Sequence, residues 1–367
     1  MSFLLAAVAG QGGIVVPGAP GTLSLAAGSP SDTVIALSWS APSDTGGGTV
    51  SGYQIKKDGS VLVADTGSTG TTYSATGLTG STSYSFTVAA INEAGAGADG
   101  NTPSLTTHAP FPVATGGTIT THGNYKAHTF TASGSLVFST GGAVDVLSIA
   151  GGGGSSTRGA GGAGGMQVQS ATAAATTYTV TIGAGGSGNL PGNTTTLDGA
   201  LAFSTASVGG GKFAGGGGSG GGGGGTGGAG TAGQGNAGGI EAISSGAYMG
   251  GAGGGKGAVG GNASWAGWSG YGGVGGAGAT NDYRLGSNET FAGGGGGGSQ
   301  SGVAPNTGTG GAGGAGGGGA GSSRAFSGAI TNGVSGTANT GGGAGGAVGG
   351  TNTDGGSGRV TVRYQYQ

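Results

Sequence analysis

The chain has 367 residues, of which 106 are glycine, 6% are charged and none is cysteine, with a formal net charge of -2. A length of this order suggests two or three domains, but glycine brings no side chain to a hydrophobic core, so such a core can cover only part of the chain. The absence of cysteine excludes a disulfide framework and thiolate metal sites, and the near-neutral charge argues against a nucleic-acid partner, which calls for a basic face.

Residues 1–16, "MSFLLAAVAGQGGIVV", are mildly apolar, lack a basic leader and are too short to span a bilayer. They read as a segment that docks into a partner protein; a weak signal peptide and a loose tail are the other readings. No other run is long enough to cross a membrane.

Over residues 17–107 the pattern turns to short β-prone runs separated by turn signals. "VIALSWSAP" and "SGYQIKKDG" alternate, the second ending on Asp58-Gly59, and "YSFTVAAINEAG" alternates before a glycine turn. Such runs at regular spacing predict an antiparallel sandwich. The stretches "PGAPGTLSL", "LSWSAPSDTGGGTVSGYQI" and "GLTGSTSYSFTVAAINEAG" resemble a fibronectin type III domain across the whole segment. The resemblance implies core packing for Trp39, for Tyr53 on the next strand, and for Leu78 with Tyr84 at the corner before the sixth strand. Domains of this kind serve as spacers or docking units, and the fold alone supplies no function.

Residues 108–367 form the glycine-rich domain. "GNYKAHTFTASGSLVFSTGGAVDVLSIAGGGG" and "TTYTVTIGAGG" hold β-type runs, and "GGSGRVTVRYQYQ" closes the chain with another. These predict a small sheet framework over 118–182 and 358–367, with glycine-rich segments, mainly 150–167 and 183–357, inserted between its strands. The fold class expected is therefore all-β, a fibronectin type III-like sandwich followed by a sheet framework that carries a bundle of polyglycine II helices.

The bundle rests on a period of three. In "WAGWSGYGGVGGAG" the residues Trp265, Trp268, Tyr271, Val274 and Ala277 are three apart, with glycine in nearly every gap. A β-strand alternates with period two, and an α-helix would take a cost of roughly 0.8–1.0 kcal/mol at each interior glycine. A polyproline II-type helix has three residues per turn and puts them on one edge. Ala160, Ala163 and Met166 repeat the spacing, as do Thr226, Ala229 and Ala232, the pair Ala312 and Ala315, and the pair Ala344 and Ala347. A lone helix of this type could not offset its ordering entropy, whereas helices side by side can bond laterally through their backbones. A flexible linker is the competing reading.

"HTFTASGSLVF", "VDVLSIAGGGG", "TYTVTIGAGGSG" and "GGSGRVTVRY" resemble the glycine-rich domain of bacteriophage tail-fibre and virion-associated proteins, from about Ala114 to the end. The architecture is also similar to the glycine-rich adhesin of T-even-type tail fibres and to the glycine-rich domain of the anaplastic lymphoma kinase receptor family. The resemblance implies a virion protein of the phage tail, extracellular at the host surface, with other tail proteins docked through its N-terminal region. It also implies an oligomeric assembly and a host surface protein or polysaccharide as receptor. A virion decoration or cell-surface filament subunit is the alternative.

Catalysis lacks parts. His108, His122 and His128 lie near the domain junction with no carboxylate pair or nucleophile motif beside them, and they read as solvated or strand-surface residues. "GGAGGGKG" mimics a phosphate-binding loop through Gly250, Gly255 and Lys256, but the next residue is Gly257 where Ser or Thr should hold magnesium. No enzyme activity, cofactor or metal is expected. Side chains concentrate instead in "IEAISSGAYM", "TNDYRLGSNETF", "APNTG" and "SSRAFSGAITNGVS", which read as turns at the bundle ends. Tyr248, Tyr283, Arg284, Phe291, Arg324 and Phe326 are the candidate receptor surface, since binding residues concentrate on loops held by rigid scaffolds. Trp265, Trp268 and Tyr271 form a stripe for packing or for stacking on sugars.

Overall fold

The computed structural model describes residues 13–28, 33–203, 206–222, 226–244, 246–267, 269–300 and 308–367. The docking segment up to residue 12, Trp268, and residues 304–307 of "APNTG" lie outside the described residues. The chain is all-β, with one 3-10 turn, Gly199–Leu201, among the described residues. It forms two units, one ending at Pro110 and one spanning Phe111–Tyr366.

In the first unit the alternating runs become β1 (Ser24–Ala27), β2 (Ile35–Ser38), β3 (Gly52–Lys57), β4 (Ser60–Val63), β5 (Thr72–Ala75), β6 (Ser83–Asn92), β7 (Gly95–Asp99) and β8 (Ser104–Thr106). One sheet has the order β1-β2-β5 and the other β4-β3-β6-β7, with β8 also paired to β6. Asp58 and Gly59 both have positive φ (49° and 77°), the two-residue turn whose twist suits a β3–β4 hairpin. Trp39, Tyr53, Leu78 and Tyr84 lie in the buried core with Ile35, Leu37 and Phe86. The Trp39 and Tyr53 rings meet edge to face at 5.1 Å, and the Tyr84 hydroxyl accepts the Thr79 N–H at 2.9 Å.

The second unit opens with β9 (Val113–Thr115), β10 (Thr118–His122), β11 (Tyr125–Phe130), β12 (Gly134–Thr140), β13 (Gly142–Ile149), β14 (Met166–Ala173), β15 (Thr177–Thr181) and β16 (Thr196–Leu197). Ten short strands follow: β17 (Ala242–Ser244), β18 (Ala247–Met249), β19 (Ser264–Ala266), β20 (Ser269–Tyr271), β21 (Ala279–Asn281), β22 (Glu289–Phe291), β23 (Ser299–Gln300), β24 (Gly308–Thr309), β25 (Ser323–Arg324) and β26 (Ile330–Thr331). The last strand is β27 (Arg359–Gln365), which sits between β11 and β13 in the sheet β10-β11-β27-β13-β14. A second sheet, β16-β15-β12-β9, packs against it over Phe138, Val146, Tyr178, Val362 and Tyr364. The framework is thus a second sandwich. Strands as short as β9 and β16 carry too little alternation to announce themselves.

The glycine segments leave this sandwich and return to it. Gly293–Gly298, six consecutive buried glycines, show the lattice in full. Their N–H groups donate in turn to the carbonyls of Gly316, Gly276, Gly161, Gly319, Gly273 and Arg158, and their carbonyls accept from Gly343, Gly314, Gly253, Gly346, Gly311 and Gly250, at 2.7–3.1 Å. Partners three residues apart belong to one neighbouring segment, so three neighbours receive bonds and three others give them. That is hexagonal packing of three-residue-per-turn helices, and it satisfies every backbone group without a side chain. Glycine is required by the spacing: a Cβ at Gly295 would lie 1.9 Å from the Ala344 oxygen, and one at Gly297 1.9 Å from the Gly250 oxygen.

Candidate binding face at the far end of the bundle

Because 150–154, 159–165 and 353–358 all join sandwich strands at one end, their other ends, with the hairpins built there, define the far end of the bundle. There β17, β18, β23, β25 and β26 pair into a five-stranded sheet beside a smaller one, β19-β20-β24. The register aligns Ile243 with Tyr248, Tyr248 with Gln300, Gln300 with Arg324, and Arg324 with Ile330. Cross-strand partners share a face, so these five side chains form one line, about 19 Å long at the usual interstrand spacing. Met249 and Ser299 on the other face are buried, whereas Ile243 and Ile330 at the two ends of the line are 60% and 41% exposed.

The line is apolar at its ends and polar between. The Arg158 guanidinium stacks on the Tyr248 ring at 4.2 Å, carried on a turn where Arg158 itself has φ 71°. Arg324 lies against the turn at Gly349, beside Ile330. Phe326, in the β25–β26 turn, is 56% exposed. Among the described residues of this unit, Arg284, Arg359 and Arg363 at the sandwich end each pair with a carboxylate, and Arg158 and Arg324 do not.

The structure separates the candidate receptor residues. Tyr248, Arg324 and Phe326 are at the far end, while Tyr283, Arg284 and Phe291 belong to the β21–β22 hairpin, which folds back on the outer face of the five-stranded sandwich sheet. There the Arg363 guanidinium lies between the Tyr125 and Tyr283 rings (4.8 and 3.9 Å) and pairs with Asp145 and Asp282 at 3.2 and 3.3 Å. The Thr120 hydroxyl donates to the Arg284 carbonyl at 2.7 Å. Arg284 Nε donates to Glu289 at 2.8 Å, and this hydrogen bond holds the Glu289 carboxyl below its ordinary range. Burial pushes the Tyr283 hydroxyl up and pulls the Arg359 guanidinium down. Phe291 is 3% exposed, under Arg359 at 4.9 Å. Phe291 is therefore core, and Tyr283 and Arg284 hold a hairpin in place; the sequence could not show that this chemically rich turn had a sheet to cover.

The aromatic stripe also changes. The chain reverses at Gly267 (φ 60°) to form the β19–β20 hairpin, in which Trp265 pairs with Gly270. Trp265 and Tyr271 thus face opposite sides of a sheet, and the spacing of three across the turn is a coincidence of sequence. From Tyr271 onward the period holds: Tyr271, Val274 and Ala277 are exposed while the glycines between them are buried. Of the histidines, His108 is exposed and His122 half-buried, but His128 is fully buried, contrary to a surface role, because it lies on the core face of β11, opposite Val362 and stacked on Tyr364. The Lys256 amide donates to Ala292 O at 2.9 Å and its ammonium to Gly233 O, so this loop is a bundle turn rather than a phosphate cradle.

Sequence reasoning reached Tyr248 and Arg324 but missed Arg158, Ile243, Gln300 and Ile330. Their alignment is a matter of register between strands far apart in the chain.

Residues 18–107 match the family model for the fibronectin type III domain. The chain is 42% identical over 71 residues to Exoglucanase B of Cellulomonas fimi, covering 19% of this chain and 6% of that protein. It is 46% identical over 71 residues to Chitinase Chi52 of Paenibacillus xylanexedens, covering 19% and 13%. The chain therefore spans only a small part of either relative. Among solved structures, the sixth fibronectin type III domain of human fibronectin type III domain containing protein 3 is 24% identical with a TM-score of 0.23, covering 27% of this chain and 93% of that one. The family match, the two-sheet topology and the packing of Trp39, Tyr53 and Tyr84 agree, and residues 18–107 of this chain are a fibronectin type III domain.

Proposed function

We propose that this chain is a non-enzymatic receptor-binding adhesin of a bacteriophage tail fibre or tail tip, attaching the virion to the host cell surface. The observation that carries the reading is the line Ile243–Tyr248–Gln300–Arg324–Ile330, set on a scaffold locked by its own backbone. A rigid platform with chemically varied side chains at one end is how binding surfaces are built. In this reading the N-terminal segment docks to the tail, the fibronectin type III domain is a spacer, and the far end meets the host. The setting is inferred from the resemblance of the strand motifs to those of phage glycine-rich domains.

The test is adsorption of the purified chain to host cells. Tyr248→Ala with Arg324→Gln is expected to abolish adsorption while thermal unfolding is unchanged, and retention of adsorption would refute the reading. The alternative, a structural virion or filament subunit, draws on the exposed edge of Tyr271, Val274 and Ala277, which could pack against a neighbour. It predicts that Val274→Asp blocks particle assembly and that changes in the line do nothing.

A further inference from the structure

The line at the far end is one residue wide, because its strands are two or three residues long. A globular partner needs roughly 800 Å² on each side of a stable interface, far more than a single row of side chains offers. A row about 19 Å long suits an extended polymer instead. Its chemistry is amide and guanidinium donors between apolar ends, the groups that hold hydroxyl-rich rings by their edges and faces.

Charge narrows the class. Among the described residues neither Arg324 nor Arg158 has a carboxylate partner. Neither carboxylate on this side pairs with these arginines: Asp354 accepts the Gly188 N–H at 2.9 Å, and Glu241, just before β17, makes no ion pair among the described residues. The arginines at the sandwich end are neutralised within the protein; those at the far end are left positive. Guanidinium bonds to carboxylates are among the strong and geometrically selective ones.

We propose that the far-end line binds an acidic polysaccharide, its carboxylates held by Arg324 and Arg158 and its rings lying across Tyr248 and the two isoleucines. This rests on the adhesin reading only for the setting in which such a polymer is met. The probe is immobilised polygalacturonate, compared with its methyl ester and with dextran, using the full chain. The expected result is salt-sensitive binding to polygalacturonate alone, weakened about tenfold or more by Arg324→Gln and likewise by Arg158→Gln, with thermal unfolding as the check on folding. Equal binding to the methyl ester or dextran, no binding to polygalacturonate, or an Arg324→Gln chain that binds as wild type would each overturn it. If substitutions in the line abolish cell adsorption and protease treatment of the cells does the same, the receptor is a protein, and this proposal falls while the adhesin reading stands. If polygalacturonate binds as expected and cells are not adsorbed, the reverse holds.

Discussion

The neutral ring of His128 has one favoured tautomer. Its Nδ1 lies 2.7 Å from the Gly116 carbonyl, which can only accept, so Nδ1 carries the proton. Nε2 of the neutral ring is then an acceptor, and the Tyr364 hydroxyl 3.0 Å away donates to it while accepting the Ala114 N–H at 3.0 Å. Burial pulls the His128 pKa below its ordinary value, more than the Gly116 bond raises it. Protonation is then disfavoured in the folded state, so the unfolded chain binds the extra proton as pH falls below about 6.5, and stability falls with it. Urea midpoints at pH 7.5 and pH 5 should drop further for the wild type than for His128→Gln, which does not titrate; equal drops would count against this. Sterics fix the bundle glycines just as locally. A Cβ at Gly295 meets a carbonyl oxygen at 1.9 Å, whereas Ala229 is exposed. Gly295→Val should abolish cooperative unfolding of the second unit, and Ala229→Val should stay within about 0.5 kcal/mol of wild type, as measured by chemical denaturation.

At the scale of elements, the β21–β22 hairpin and the far-end sheet look alike in sequence and differ in duty. Phe291→Ala should destabilise the second unit by about 3–5 kcal/mol and leave adsorption per folded molecule unchanged, the opposite of the Tyr248 and Arg324 substitutions; denaturation and adsorption measured together separate the two. Alternation in "YSFTVAAIN" and "GRVTVRY" was enough to read β6 and β27, since one side of each strand must be apolar. The bundle was legible for the same kind of reason, because outward edges such as Tyr271, Val274 and Ala277 recur with the helical turn. The β19–β20 hairpin was hidden, since Trp265 and Tyr271 keep that spacing across a reversal that only Gly267 marks. The far-end line was legible only in Tyr248 and Arg324, because strands of two or three residues have no periodicity and their alignment arises from register.

Across the whole molecule, two kinds of interior coexist. The sandwiches bury Phe138, Tyr178 and Val362 or Trp39 and Tyr53, whereas the bundle buries peptide groups. Exposed apolar surface raises the heat capacity on unfolding and exposed polar surface lowers it. Calorimetry of residues 111–367 should therefore give a heat-capacity increment well below the usual figure of about 12–15 cal/mol/K per residue; a normal value would mean that side chains, not peptide groups, dominate the interior. The wiring of the lattice reaches further. Gly295 donates to Gly161 and accepts from Gly253, and Gly296 accepts from Gly346, so neighbours in space come from remote parts of the chain. The segment 293–298 gains its full set of bonds only when six surrounding segments have arrived, which makes assembly slow and, by the same logic, makes its departure break bonds to all six. A domain wired in this way resists loss through the height of an exit barrier, so its natural measure is a lifetime, kept by the clock rather than by the depth of a free-energy well.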